Sequence, residues 1–356
     1  MERKKKVLIA VLDWGLGHAT RCIPVVQALL EKNCRPILAS NGRAYELLKK
    51  QFPDLKIYRL SSYNPQYPQG KNMVWKMAMQ LPKFGYTIWR EHREIEKIVA
   101  RENIDAVISD NRYNCYSTKV KSVFMTHQTH VLMPDGHAWL EEQVNTLNRS
   151  FIRQYAECWI PAPDENLLQE LCDSTAEYPK RFIGFLSDMK REEKQKKYDV
   201  CVVCSGPEPQ RTLFENVVSA QLKTTELRYI VVRGKPEALN PVYSNTANQQ
   251  VVNFLNTSSL AEVINESKIV IARSGYSMIM DLAKLQAKAI FIPTPGQTEQ
   301  EHLAKKLMDK KIALAIPQEN FELAPALQQA EQFSGFNHTF AFDQKLLHSA
   351  LDSLLC

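Results

Sequence analysis

Short apolar runs alternate with amphipathic stretches along almost the whole chain. Each run is long enough for one strand and is followed by a segment of helical character, a pattern typical of parallel strands joined by crossover helices. In the first half the predicted strands cover residues 6–12, 35–40, 56–60, 105–109, 121–125 and 157–161. In the second half they begin at residue 199 and continue at 228–233, 250–254, 267–272, 288–292 and 312–316. The pattern predicts an α/β protein with two doubly wound (Rossmann-like) parallel-sheet domains.

A charge-dense stretch near the middle of the chain, residues 186–198, carries no apolar period and is predicted to contain a linker. The predicted organisation is an N-terminal domain (1–186), a linker (187–198), a C-terminal domain (199–340) and a final helical segment (341–356). The chain has 356 residues, so each half is long enough to bury a core of its own.

Residues 269–302 contain two successive strand-to-helix junctions. At the first, Arg273, Ser274 and Gly275 form a turn into a helix that carries Asp281. Gly275 lets a ligand approach the backbone closely, and the N–H groups at the start of a helix favour an anion such as a phosphate. The carboxylate of Asp281 can accept paired hydrogen bonds from vicinal hydroxyls such as those of a ribose. Because open α/β sheets bind ligands at this edge, the junction predicts a nucleotide site.

The first predicted strand ends in a glycine-containing turn, DWGLGH, that leads into a helix. The turn does not complete a dinucleotide fingerprint, because Thr20 replaces the third glycine and the second strand leads to Asn41 rather than to an acid. This disfavours a nicotinamide-dependent enzyme. His18 could accept a proton from a hydroxyl at neutral pH, and Asp13 could orient it or act as the base itself. The alternative is that His18 caps the helix or contacts a phosphate.

Two motifs, RSGYSMIMDL and IPTPGQTEQEH, resemble the donor-binding half of the family 28 glycosyltransferases, the GT-B family that includes the peptidoglycan N-acetylglucosamine transferase. The GLGH turn is similar to the N-terminal glycine-rich loop of that family, with Asp13 and Trp14 in place of a fuller glycine run. The resemblance covers most of the chain. It implies a GT-B fold, in which two domains face a central cleft and the last helix packs back on the first domain.

The resemblance also implies roles for individual residues. Arg273, Ser274 and Gly275 are implied to surround a diphosphate, and Asp281 to hold a ribose. Gln300 and Glu301 stand where the family has a glutamine pair that holds the sugar. His18 is implied to act near the acceptor. The other predicted donor-binding residues are Gly17, Ser205, Gly206, Arg211, Phe254 and Leu255. Asp110 and His127 follow the fourth and fifth strands and are predicted to lie on the acceptor side.

The activity implied is an inverting, metal-independent transfer of a hexose, N-acetylglucosamine or a relative, from a UDP-sugar to an acceptor hydroxyl. The expected acceptor is a saccharide or a lipid-linked saccharide, and no cofactor is expected besides the UDP-sugar substrate. Two other functions stay open at this point. One is hydrolysis or epimerisation of a UDP-sugar on the same scaffold, and the other is binding of a sugar nucleotide without catalysis.

Composition and hydropathy bear on the class of partner and on the cellular location. The chain is 44% hydrophobic and 24% charged with a net charge of +6, which is typical of a globular protein and too weak to indicate a nucleic-acid partner. No signal peptide or membrane-spanning run is visible, so a cytoplasmic location is predicted, with peripheral contact at the inner face of a membrane left open.

The cysteines and histidines do not predict a metal site. Cys201 and Cys204 form a CxxC pair within one predicted strand, where an odd separation points them to opposite faces and favours core packing. His127 and His130 have no acidic or cysteine partner at ligand spacing nearby. The eight cysteines show no disulfide framework and are expected to be reduced.

Overall fold

The computed structural model describes residues 3–62, 79, 81–133, 138–163, 171–173, 177–238, 242–246, 248–337 and 342–356. These residues form two compact units. The first contains the described residues up to Leu186 together with Phe342–Cys356, and the second contains the described residues from Ser187 onward to 337. Each unit is built around a sheet of its own.

The described strands of the first unit are short and mostly apolar. They are β1 (Lys6–Val11), β2 (Arg35–Ser40), β3 (Ile57–Arg59), β4 (Ala106–Asp110), β5 (Lys121–Met125), β6 (Glu157–Ile160) and β7 (Lys180–Phe182). Their order in the sheet is β3-β2-β1-β4-β5-β6-β7, and all pairs are parallel. The helices between them are α1 (Leu16–Glu31), α2 (Gly42–Gln51), α3 (Leu81–Glu102) and α4 (Glu141–Ile152), with a 3₁₀ turn at Ala138–Leu140.

The core of the first unit explains why these runs form buried strands. Val7, Leu8 and Ile9 of β1 are fully buried, as expected for a central parallel strand covered on both faces. On one face, Ile95 and Ile98 of α3 pack in the same cluster as Leu8. Strand β1 has β2 on one side and β4 on the other, so the chain reverses direction across the sheet at this point. Ligands of open α/β sheets bind at the carboxyl ends of such a strand pair.

The second unit repeats this arrangement. Its strands are β8 (Tyr198–Val203), β9 (Tyr229–Val232), β10 (Val242–Asn245), β11 (Gln249–Val252), β12 (Ser267–Ala272), β13 (Ala289–Phe291) and β14 (Leu314–Ala315). Its helices are α5 (Gln210–Leu222), α6 (Thr257–Asn265), α7 (Tyr276–Leu285), α8 (Thr298–Asp309) and α9 (Leu323–Ala330), with a 3₁₀ turn at Gln318–Asn320. Among the described strands the order is β10-β11-β9-β8-β12-β13-β14, and only β10 is antiparallel to its neighbour.

The last helix, α10 (Gln344–Leu355), belongs to the first unit and packs against α1. Lys32, which follows α1, is 2.5 Å from the carboxylate of Asp352 on α10. Lys121 at the start of β5 donates to the carbonyl of Ser353 at 2.5 Å. The end of the chain is therefore fixed to the first unit by helix packing and by two lysine contacts.

Residues 187–197 have no regular secondary structure, yet they are tied to the second unit. Lys194 lies 2.7 Å from Glu262 of α6, and Lys197 lies 2.5 Å from Glu266 just after that helix. The side chain of Asn265 donates to the carbonyl of Lys190 at 2.9 Å. The charges of the segment predicted as a linker are therefore used to hold it along α6.

Two strands were not predicted from the pattern, and the reasons are physical. Strand β7 is three residues long and has the sequence KRF, which shows no apolar run. Strand β10, VYSN, is an antiparallel edge strand and does not carry the apolar run of a buried parallel strand.

Cys201 and Cys204 are both buried in the core, as predicted. Cys204 shares a cluster with Val200 and Val202, which are on its own face of β8.

Candidate functional site

In the first unit the candidate chemistry lies where β1 and β4 end. The N–H of Leu12 donates to the carbonyl of Asp110 at 3.2 Å, which holds the two strand ends together. Helix α1 begins after Gly15, which has extended backbone geometry and no side chain to cap the helix. His18 therefore lies in the first turn of α1, beside the end of β4.

His18 is paired with Asp110. Its Nδ1 lies 2.9 Å from Oδ2 of the carboxylate, and the His18 side chain is 18% exposed whereas that of Asp110 is fully buried. An Nδ1–H that donates to the carboxylate leaves Nε2 as the proton acceptor of a neutral ring. Burial lowers the pKa of His18, Arg21 lowers it further, and Asp110 opposes both effects. The geometry is that of an oriented imidazole base.

Arg21 completes this cluster from the next turn of α1. Its Nε donates to Oδ1 of Asp110 at 2.8 Å, Nη2 contacts the same oxygen, and Nη1 lies 2.8 Å from Nδ1 of His127. Although burial alone would raise it, Arg21 and His18 hold the pKa of Asp110 below its ordinary value. The carboxylate is therefore ionised at neutral pH and shared between the two residues of α1.

Asp110 and His127, which were predicted to lie on the acceptor side, are both part of this cluster. Asp110 is fully buried and His127 is 7% exposed. Asp110 contacts His18 and Arg21, and His127 contacts Arg21. Their place on the acceptor side stays a prediction.

Asp13 does not orient His18, contrary to expectation. Its Oδ1 lies 3.3 Å from Nη2 of Arg112, its Oδ2 accepts from the hydroxyl of Ser62, and its side chain is 4% exposed. Arg112 also pairs with Glu91 and donates to the carbonyl of Val11 at 2.8 Å. Because both carboxylate oxygens are engaged in this buried network, Asp13 has the geometry of a structural ion pair and not of a base.

In the second unit, three loops that carry predicted donor-binding residues lie at one edge of the sheet. Ser205 and Gly206 follow β8, Phe254 and Leu255 follow β11, and the RSG turn follows β12. These are carboxyl ends of parallel strands, so all three loops open on the same side of the sheet. Phe254 and Leu255 are half-buried, so each keeps part of an apolar surface exposed.

Gly275 occupies the N-cap position of α7, where no side chain caps the helix. Its φ of −69° and ψ of 140° form a backbone geometry that other residues adopt equally well. A Cβ placed on Gly275 would meet nothing within 4 Å. The same is true of Gly206, whose φ of +95° does require a glycine. Because neither backbone conformation nor packing demands glycine at 275, the bare backbone there is suited to the close approach of a ligand.

The start of α8 is linked to the RSG turn. The hydroxyl of Ser274 donates to the carbonyl of Gln300 at 2.8 Å, and the side-chain oxygen of Gln300 accepts from the N–H of Thr294 at 2.9 Å. Glu301 accepts from the N–H of Gly296 at 2.8 Å and lies at the surface. Ser274 thus connects the RSG turn to the start of α8. Because the side-chain oxygen of Gln300 is held by the N–H of Thr294, its side-chain N–H₂ group is the end that can bind a ligand.

Asp281 lies on α7 and is 8% exposed. Its Oδ1 accepts a hydrogen bond of 2.6 Å from Ser187, a residue of the segment predicted as a linker. Burial raises the pKa of Asp281 to about 7, with the charge of Asp188 adding to the effect and the hydrogen bond from Ser187 opposing it. Its carboxyl group can therefore gain or lose a proton near neutral pH.

Arg273 is not placed to bind a diphosphate directly, which corrects the expectation. The guanidinium is 1% exposed, and its four terminal N–H groups donate to the carbonyls of Ile292, Pro293 and Gln210 and to the side chain of Gln318. Burial lowers the pKa of Arg273 to about 10. The hydrogen bonds of Arg273 instead connect the end of β12 to the end of β13, to the start of α5 and to the 3₁₀ turn at Gln318. They stabilise the sheet edge at which the RSG turn lies.

Arg211 requires a similar correction. It is fully buried, its Nε and Nη2 contact Glu208, and its Nη1 lies 2.8 Å from Glu215. The remaining donors go to the hydroxyl of Thr212 and the carbonyl of Arg233. Arg211 therefore stabilises the loop that carries Ser205 and Gly206 and has no donor left for a phosphate.

Two functional candidates were missed at the level of sequence. Arg21 stands three residues after His18 on α1, a spacing that places both on one helix face and could have revealed the pairing. Ser187 carries no such signal, because its contact with Asp281 spans 94 residues. Gly17 lies in the first turn of α1 in the first unit, and its contact with a donor stays a prediction.

Among the described residues, no group of three or more histidine, cysteine, aspartate or glutamate side chains could hold a metal ion. None of the described helices is both long enough and apolar enough to cross a bilayer.

Comparison with known proteins identifies relatives of both units. Residues 200–341 match the model of the glycosyltransferase family 28 C-terminal domain. Over 344 residues the chain is 24% identical to the UDP-N-acetylglucosamine–N-acetylmuramyl-(pentapeptide) pyrophosphoryl-undecaprenol N-acetylglucosamine transferase of Pasteurella multocida, covering 93% of this chain and 90% of that protein.

Solved structures show the same fold. The glycotransferase of kitacinnamycin matches all of this chain over all of its own length, with a TM-score of 0.65 and 13% identity. Acinetobacter baumannii MurG matches 99% of this chain over 95% of its own length, with a TM-score of 0.53 and 13% identity. At this identity the likeness speaks for the fold alone.

Proposed function

We propose that the chain, a GT-B glycosyltransferase whose residues 200–341 match the family 28 C-terminal domain, belongs to family 28 and transfers a hexose from a UDP-sugar to an acceptor hydroxyl with inversion. The observation that carries the proposal is that each unit holds a different kind of functional group. The first presents an oriented imidazole, His18 with Asp110, and the second presents an uncapped helix start at Gly275 with the carboxyl group of Asp281 on the same helix.

The second unit is proposed to bind the UDP moiety. The N–H groups at the start of α7 donate to the oxygens of the diphosphate, and the open space at Gly275 lets those oxygens approach. Asp281 accepts hydrogen bonds from the ribose hydroxyls, and Phe254 and Leu255 provide an apolar surface for the base. Gln300 and Glu301, at the start of α8, are proposed to contact the sugar, and N-acetylglucosamine is the sugar we favour.

The first unit is proposed to activate the acceptor. Nε2 of His18 takes the proton of the attacking hydroxyl, whose oxygen bonds to the anomeric carbon as the bond from that carbon to the diphosphate oxygen breaks. UDP departs with the electron pair, and attack from the opposite face gives inversion. Asp110 keeps His18 in the Nδ1–H tautomer and stabilises the imidazolium that forms.

We propose that the reaction needs no metal. The charge that develops on the departing diphosphate is met by the N–H groups and the dipole of α7, a preorganised arrangement that needs no reorientation during the reaction. The buried guanidinium of Arg273 supports this helix start by holding its loop and does not donate to the leaving group. Transfer that is unaffected by EDTA tests this part of the proposal.

A lipid-linked saccharide is one acceptor that fits the family. The relative from Pasteurella multocida acts, by its name, on a pyrophosphoryl-undecaprenol substrate. In the first unit, Trp139 and Leu147 are 69% and 55% exposed, and such side chains enter bilayer interfaces. We propose peripheral contact with the inner face of a membrane, and sedimentation with anionic phospholipid vesicles, reduced by Trp139→Ala, tests it.

The test of the proposed function compares His18→Ala with the unchanged protein. We expect sugar transfer to be abolished while UDP affinity stays within a few-fold, because His18 and the UDP site belong to different units. Transfer near the original rate would remove His18 from the mechanism. Hydrolysis or epimerisation of the UDP-sugar is the alternative reaction, and release of free sugar or of an epimer without any acceptor would favour it.

A further inference from the structure

A cavity of about 380 Å³ lies within the first unit, apart from the His18 cluster. It is formed by the carboxyl ends of β2 and β3 together with one face of α3, and the side chains that matter for its chemistry are Asn41, Arg59, Tyr86, Arg90 and Glu94. The volume is within the range of small-molecule sites, about 300–1,000 Å³. It is large enough for a sugar ring and its substituents.

The wall of this cavity is held in place by hydrogen bonds. The two oxygens of Glu94 accept from the backbone N–H and the hydroxyl of Ser61, both at 2.8 Å. Asn41 donates to the carbonyl of Leu60 at 2.7 Å. Side chains from α3 and from the end of β2 therefore fix the residues that follow β3. A cavity whose wall is tied down in this way does not have to be ordered by its ligand.

The two arginines of the cavity favour a neutral, hydrogen-bonding ligand over an anion. Nη2 of Arg59 lies 3.0 Å from Glu46, and Nε of Arg90 lies 3.0 Å from Glu94, so each positive charge is already paired. Both arginine side chains are more than half exposed, at 59% and 58%, and each guanidinium group has N–H groups beyond the one in its ion pair. Paired arginine and glutamate side chains can donate to and accept from vicinal hydroxyls.

Tyr86 adds an apolar face to these polar groups. It lines the cavity, is 60% exposed, and its ring centroid lies 6.1 Å from that of Trp89 in a tilted arrangement. A pyranose ring has an apolar face of C–H groups and an edge of hydroxyls. The exposed ring of Tyr86 matches the apolar face, and the arginine and glutamate side chains beside it match the hydroxyl edge. A phosphate would use the polar groups alone, and an alkyl chain would use the aromatic ring alone.

We propose that this cavity binds a sugar residue of the acceptor, so that the acceptor is an oligosaccharide or a glycan-bearing molecule rather than a small aglycone. The proposal rests on the proposed function. The ends of β2 and β3 lie on the same sheet edge as the ends of β1 and β4, and two strand spacings amount to roughly 10 Å. A sugar held here would leave a neighbouring part of the same glycan within reach of His18.

The experiment is saturation-transfer NMR and titration on the full chain with a panel of free di- and trisaccharides of glucose, galactose, mannose and N-acetylglucosamine. Inorganic phosphate and diphosphate are the anionic probes. We expect an oligosaccharide to bind, and Tyr86→Ala and Arg90→Ala each to weaken binding about tenfold. Tyr86→Phe keeps the ring, and Arg93→Ala removes an exposed arginine of α3 that packs on Trp89 outside the cavity. Both should bind within about twofold of the original protein.

Three outcomes overturn the proposal: no oligosaccharide of the panel binds, binding survives both alanine substitutions, or phosphate and diphosphate bind in place of the sugars and are lost in Arg90→Ala. UDP titration of the same samples separates this failure from that of the proposed function. UDP binding reports on the second unit and should be unchanged in all four variants. A protein that binds oligosaccharide but not UDP would contradict the proposed function while leaving the cavity assignment intact.

Discussion

Gly275 is the position where protein stability and donor binding are predicted to change in opposite directions. Its φ of −69° and ψ of 140° suit any residue, a Cβ there would meet nothing within 4 Å, and α7 begins with no side-chain cap. Asparagine is a preferred residue at the first position of a helix, where its side-chain oxygen accepts from the N–H groups of the first turn. Gly275→Asn should therefore fold at least as well as the original protein.

The same asparagine would compete with the diphosphate. Its side chain would occupy the N–H groups of Ser277 or Met278, and in stability this is worth a few tenths of a kcal/mol relative to glycine. The ligand would lose a hydrogen bond to a charged group, about 1.5–3 kcal/mol, and part of a dipole interaction of about 0.3–1 kcal/mol. The sum, about 2–4 kcal/mol, corresponds to roughly 30- to 1,000-fold weaker UDP binding.

Calorimetric titration with UDP and thermal unfolding of the same samples measure both effects of the Gly275 substitution. Gly184→Ala is the matched control, because Gly184 has φ +76° and a Cβ there would lie 2.9 Å from the carbonyl of Asp343 in the first unit. That variant should lose stability and keep its UDP affinity. Unchanged UDP affinity in Gly275→Asn, with unfolding at the original temperature or above, would refute a diphosphate site at α7.

Three further predictions follow from buried groups. Asp110→Asn should lower kcat about 10²–10⁴-fold, since the amide cannot stabilise the His18 imidazolium. The acid limb of the pH profile of kcat/KM, expected below 6.5 because burial lowers the pKa of His18, should move lower still when Asp110 loses its charge. For Asp281, UDP affinity should rise as the pH rises through about 7, because only the ionised carboxyl accepts from both ribose hydroxyls. Its folded pKa lies above its unfolded value, so its contribution to stability is full at pH below about 4 and declines towards pH 7. Asp281→Asn should flatten both profiles, and 2′-deoxy-UDP should show a weaker pH dependence than UDP. Arg273→Lys should lower the free energy of unfolding by about 3 kcal/mol in denaturant titration, because an ammonium group cannot reach the four acceptors that the guanidinium joins. Stability equal to the original would contradict this role for Arg273.

The architecture could be predicted from the sequence because buried parallel strands need continuous apolar runs. Ile269–Ala272 and Val7–Leu12 fall in β12 and in or directly after β1, and the turns after them lie at the sheet edges where they were expected. Strands β7 and β10 escaped prediction, since a strand at the edge of a sheet does not require such a run.

The partners of the site residues could not be predicted in the same way. Asp13 is near His18 in sequence, but the parallel pairing of β1 with β4 brings Asp110, 92 residues away, to the imidazole. The RSG motif locates Arg273 but not the direction of its side chain, which the carbonyls of the neighbouring loops determine. Contacts between residues distant in sequence depend on the topology of the fold, and local sequence patterns do not predict them.

The most direct test of sugar transfer follows UDP release from UDP-N-acetylglucosamine, with EDTA present, with and without oligosaccharide and lipid-linked saccharide acceptors. We predict that UDP release depends on the acceptor, and that proton NMR shows a β-linked product from the α-linked donor. Free N-acetylglucosamine formed at the same rate without acceptor, or no UDP release with any acceptor, would contradict a glycosyltransferase that uses this donor.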